Sequence, residues 1–162
     1  MSLSDYYLQG QSATGLKVSL TPSVLTDYRL KTKITNRTSG TRVFVCYATN
    51  LDTFISFISS NTVRVTSQNS TTNFSFTSGF TVSDEPLIVD ITASATGGSC
   101  SVTNNGVTQT LTSLNNMQGL NLDTFMHRGG SNIGYDFDLY SVEVFDSGGT
   151  LIHNYDPSAT GG

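Results

Sequence analysis

The stretch HRGGSNIGYDFD, residues 127–138, gathers the side chains of this chain best suited to hold a polar ligand. Arg128 brings a planar fork of donors, Asn132 an amide that pairs with hydroxyls, and Tyr135 an aromatic face on which a sugar ring can stack. Gly129 and Gly130 let the backbone bend closely around a ligand, and Asp136 closes the group with a carboxylate. Tyr47, near the end of TRVFVCYAT, is a candidate to approach from a neighbouring sheet. The competing reading is structural: Arg128 pairs with a nearby carboxylate and Tyr135 packs on an edge.

Catalytic chemistry finds less to work with. Activating a serine needs a histidine beside it, and neither His127 nor His153 is accompanied by a GxSxG turn. Glycoside hydrolysis needs two carboxyls flanking the scissile bond, about 5.5 Å apart in retaining enzymes. The glutamates are Glu85, beside Pro86, and Glu143, in the last hairpin, with no ExDxE arrangement. The chain therefore reads as a protein that is not an enzyme. Cys46 and Cys100 are the only cysteines and have no CxxC spacing, so they read as buried thiols or as a single bridge.

Whatever the job, the side chains must be held by a fold, and composition narrows which one. The 162 residues suit a single domain over 1–162, and only 12% of them are charged against about 25% in an ordinary soluble domain. Ser, Thr, Asn and Gly must therefore supply the polar surface, as in an all-β protein with many turns. Eight basic against twelve acidic side chains give a net charge of −4, and no stripe of Lys and Arg is present to follow a phosphate backbone. Nucleic acid is excluded as a partner on that ground. No apolar run reaches the ~20 residues of a membrane helix, so no membrane insertion is expected.

The chain is punctuated like a set of short strands. In TDYRLKTKI, Tyr28, Leu30, Thr32 and Ile34 alternate with Arg29, Lys31 and Lys33, which predicts one buried face and one solvated basic face. Similar runs are YYLQGQ, GLKVSL, TRVFVCYAT, TFISFIS, NTVRVTS, TNFSFTS, PLIVDITASA, SCSVTN, VTQTLTS and DTFMHRG, separated by Gly, Asn, Ser and Pro. Only SLNNMQGL offers a short turn of helix. Asn105-Gly106 predicts a type I′ hairpin turn, and Gly148-Gly149 is expected to do the same in SVEVFDSGGTLIHNY. The arms of that last hairpin are apolar on both faces, which places them inside a two-layer stack or under another surface. The sum is an all-β antiparallel sandwich or barrel of about ten or more short strands.

Three stretches carry a resemblance: YYLQGQSATGLKVSL with TDYRLKTKI, PLIVDITASATGGSCSVTNNGVTQTL, and LDTFMHRGGSNIGYDFDLYSVEVFDSGGTLIHNYDPS. Their order resembles the concanavalin A-like lectin and glucanase superfamily, in particular the laminin-G-like domains of phage structural and bacterial surface proteins. The last stretch is the most specific, with Phe125, Gly129, Phe137, Gly148, Gly149, Tyr155, Asp156 and Pro157 in the family's pattern. Two departures stand out: Asp138 replaces a glycine common in relatives, and the chain has no Trp.

The resemblance implies a two-sheet jelly roll, a module of a longer chain, and a place on a virion or on the extracellular or cell surface. Relatives often hold a Ca²⁺ at the sandwich rim, and Asp52, Asp84, Asp123, Asp136 and Asp138 stand at predicted strand ends, but none forms a DxDxDG loop and no ligands are assigned; no cofactor is expected, with Ca²⁺ as the alternative. Two functions fit: a non-catalytic, lectin-like carbohydrate-binding or adhesion module of a phage fibre, spike or surface protein, or a structural module that binds only protein neighbours. The expected partner is accordingly a glycan or a protein surface, with oligomerisation or assembly with other domains as a further expectation, and ligand-binding residues Tyr47, Arg128, Asn132, Tyr135 and Asp136.

Overall fold

The computed structural model describes residues 8–10, 18–36, 43–47, 53–79, 86–125 and 137–156. Within them the regular structure is entirely β-strand, in two antiparallel sheets. The first sheet contains β1 (Leu8–Gly10), β12 (Phe137–Asp146), β3 (Tyr28–Asn36), β8 (Leu87–Ser94), β9 (Gly97–Asn104) and β10 (Val107–Ser113), in that order. β13 (Leu151–Tyr155) also pairs with β12. The second sheet runs β2 (Val18–Leu25), β11 (Leu120–Phe125), β4 (Val43–Tyr47), β5 (Phe54–Ser59), β6 (Thr62–Thr66) and β7 (Thr71–Ser75). No helix of the described residues is long and apolar enough to cross a membrane.

Alternation explains how the sheets face one another. Leu30 and Ile34 of β3, Val89 and Ile91 of β8, and Val142 and Val144 of β12 are all buried on one side of the first sheet. Ile55 and Phe57 of β5, Val63 and Val65 of β6, and Phe74 of β7 do the same for the second. These residues form one cluster, so each sheet covers the apolar face of the other. Each large apolar side chain buried this way stabilises the fold by about 1.5–3 kcal/mol relative to leaving it in water.

The two-sided apolar pattern of the last hairpin has a local cause. Between Leu139 and Ser141 the register of β12 against β3 shifts, and Tyr140 is the extra residue. Leu139 and Val142 then both point inward, while Ser141, Glu143 and Phe145 share the register of Lys33, Lys31 and Arg29. Thr32, buried in the core, donates its hydroxyl to the Ser141 carbonyl at 2.9 Å where the ladder is interrupted. The second arm differs from expectation: Leu151 and Ile152 are exposed because β13 is an edge strand with β12 as its only strand neighbour among the described residues. Pro22, which has no N–H to donate, likewise sits on the edge strand β2, where the register against β11 skips.

Two turn expectations fare differently. Asn105 and Gly106 take φ values of 49° and 75°, and Val107 pairs directly with Asn104, as a type I′ turn requires. In the last hairpin Gly149 alone of the two glycines has positive φ, at 80°. The Asp146 N–H reaches the Thr150 carbonyl at 2.9 Å, so Ser147 to Gly149 make a three-residue loop instead of a two-residue turn. The helical turn expected in SLNNMQGL is absent, because short polar side chains take the backbone N–H groups. Ser113 Oγ accepts from Asn115 N, and Asn116 Oδ1 accepts from Gln118 N. Met117 anchors this loop in the core, and β11 starts at Leu120, earlier than the DTFMHRG run suggests.

Candidate functional site

Arg128, Asn132, Tyr135 and Asp136 lie outside the described residues, as do His127, Asp52 and Asp84. Tyr47 ends β4, its backbone paired with Thr124 and Phe54, beside the strand from which the chain enters 126–136. Asp123 falls inside β11, whereas Asp138 stands near the start of β12, as expected, but is buried at 1% exposure. Among the described residues no three of His, Cys, Asp and Glu gather as a metal site would require. Cys100 is a free, buried thiol, and His153 is a half-buried residue of β13 whose pKa is lowered by burial.

The described residues instead form a groove at one end of the first sheet. Tyr28 opens β3 opposite Asp146 on one side and Ala93 on the other. That register brings three turns to the same end: β2 to β3 at Asp27, β8 to β9 at Thr96, and β12 to β13 at Ser147. Between them is a groove of about 600 Å³, open to solvent, a volume within the range of small-ligand sites. Its apolar wall is Phe145 with Tyr28 and Ala93; its polar wall is Asp27, Asp146, Ser94 and Thr96. Arg29, Thr92, Ser147 and the glycines Gly97, Gly98 and Gly149 complete the lining. At Gly97 φ is 131°, and a Cβ there would collide with the Ser113 carbonyl oxygen, so this wall depends on glycine.

The groove's hydrogen bonding is asymmetric. Asp146 Oδ1 accepts from the N–H of Gly148 at 2.9 Å and of Thr150 at 2.8 Å, which fixes the carboxylate against its own turn. Asp27 Oδ1 accepts from the Gln118 side-chain amide. Arg29 donates from Nε and from a terminal nitrogen to the two oxygens of Asp90, at 2.9 and 2.6 Å, with its guanidinium carbon 5.6 Å from the Phe145 ring centre. The Asp90 hydrogen bond and charge raise the Arg29 pKa further. Ser94 donates to the Gly97 carbonyl at 2.9 Å.

Beyond the groove, the outer face of the sheet is divided by chemistry. The basic triplet of β3 is the solvated face that the alternation predicts: Arg29 pairs with Asp90, Lys31 lies in register with Asp90 and Glu143, and Lys33 stands over the Tyr140 ring at 5.3 Å. Across β8 to β10 the face is hydroxylic. Thr92 with Ser99, Ser101 with Thr110, and Thr103 with Thr108 are hydrogen-bonded pairs at 2.7–2.9 Å.

Sequence reasoning did not find the groove. The signal lay in three short polar turns, TD, AT and DSGGT, which become neighbours only when β12, β3 and β8 lie side by side. That order joins segments more than fifty residues apart and leaves no mark on local spacing. No family model matches the chain, and no curated protein matches it.

Proposed function

We propose that the chain is a non-catalytic carbohydrate-binding or adhesion module, built on a jelly roll of the concanavalin A-like, laminin-G-like kind and displayed on a virion or an extracellular surface. The groove between the three turns is the observation that carries this reading. It offers Phe145 as an apolar wall and Asp27, Asp146, Ser94 and Thr96 as hydroxyl-binding groups, a mixture suited to a sugar with apolar C–H faces and polar edges. The jelly roll is supported by the interleaving of distant strands: β12 lies between β1 and β3, and β11 lies between β2 and β4.

A glycan array probed with the intact chain, with and without Ca²⁺, tests the reading. Phe145→Ala should remove binding if the sugar sits in the groove, whereas loss with Tyr135→Ala would move the site to residues 128–136. A chain that binds no glycan under either condition would end the carbohydrate reading, and release of new reducing ends would end the non-catalytic one.

A structural role is favoured by a different observation. β10 has β9 as its only strand partner among the described residues, and Val107 at its start and Leu114 just past its end are 64% and 92% exposed. Its signature is concentration-dependent association in sedimentation, abolished by Val107→Lys with Leu114→Lys.

A further inference from the structure

Most of the groove's donors are engaged, whereas two of its carboxylates keep an open oxygen. Both oxygens of Asp90 hold Arg29, Ser94 Oγ donates to the Gly97 carbonyl, and the Thr92 hydroxyl is paired with Ser99. By contrast, Asp27 and Asp146 each use one oxygen, and the second oxygen of each has no hydrogen-bond partner among the described residues. With Arg29 neutralised by Asp90, two uncompensated carboxylates remain on the groove wall. The ring beside them already carries a cation on its face, as the quadrupole of an aromatic ring favours.

From this we infer that the groove takes an amino sugar, a hexosamine with a free ammonium group, and rejects uronic and sialic acids. The ammonium brings three donors and a positive charge to the free oxygens of Asp27 and Asp146, and the sugar's C–H face lies against Phe145. An acidic sugar would meet like charge, with the one lining cation among the described residues, Arg29, already paired to Asp90. The inference rests on the carbohydrate reading and narrows it to one charge class.

Titration of the intact chain with three probes separates the two: a glucosamine trimer, its fully N-acetylated counterpart and a galacturonic acid trimer. The amine should bind at least about tenfold more tightly than the acetylated trimer, the weight of one charge-assisted hydrogen bond, and the uronate should not bind. Asp27→Asn with Asp146→Asn should erase the difference between the first two. Asn keeps an oxygen for Gln118 and for the turn N–H groups, so the fold is retained; Asp27→Asn alone, away from the hairpin turn, should erase part of the difference. Equal or tighter binding of the acetylated or acidic trimer overturns the inference and leaves the carbohydrate reading standing. Failure to bind all three, with a blank glycan array, overturns both.

Discussion

Single residues set the shape of the groove. Gly97→Ala forces a side chain into a positive-φ position and against the Ser113 carbonyl, and should lower unfolding free energy in urea by about 2–4 kcal/mol. Gly106→Ala meets no neighbour within 4 Å and should cost only about 1 kcal/mol for its backbone conformation. Asp146→Ala removes the acceptor for two turn N–H groups and should cost about 1 kcal/mol, while Asp146→Asn should restore most of it. Cys100 gives a pH signature. Burial pushes its thiol up to about 12, so the folded state resists forming the thiolate. The stability this gives is complete below the unfolded value near 9 and is lost as pH rises toward about 12, at roughly 1.4 kcal/mol per pH unit. Cys100→Ala should therefore show a shallower fall in stability above about pH 9 in alkaline urea titrations.

At the level of elements, the bulge in β12 absorbs Tyr140 so that Leu139 and Val142, three residues apart, share the buried face. Deleting Tyr140 makes the pairing of β12 with β3 continuous, Leu139 with Ile34 and Ser141 with Lys33, and keeps Val142 and Val144 inward, so that variant should still give a dispersed NMR spectrum. Tyr140→Ala keeps the residue count and should fold. Alternation made β3 legible in the sequence, because Tyr28, Leu30, Thr32 and Ile34 obey period two without interruption. The same rule misread β12, since an inserted residue leaves apolar side chains on both faces of the written pattern. Leu114 to Gly119 misled for another reason: Leu114 and Met117, three apart, mimic a helical turn, while Ser113 and Asn116 side chains hold its backbone open.

For the whole molecule, the sheet class and the positions of most strands were readable, but the neighbours were not. A sequence shows where each strand begins, whereas the groove exists because β12 and β8 flank β3, an arrangement set by pairings across most of the chain. Asp27 and Asp146, the groove's two carboxylates, looked like ordinary turn residues for that reason.

The first and last described strands meet along one neighbour. β1 and β13 both run antiparallel to β12, with Leu8 opposite Leu139 and Tyr155 opposite Val142. They are thus two halves of a single strand, pointing the same way and separated by about 7 Å along the sheet, the two-residue step from Ile34 to Thr32 on β3. The fold is close to a closed loop that happens to be cut at this gap. A circular permutant in which a short linker joins Tyr155 to Leu8, reopened at the Asn105-Gly106 turn, should keep the same sheets and melt within a few degrees of the parent in a thermal scan.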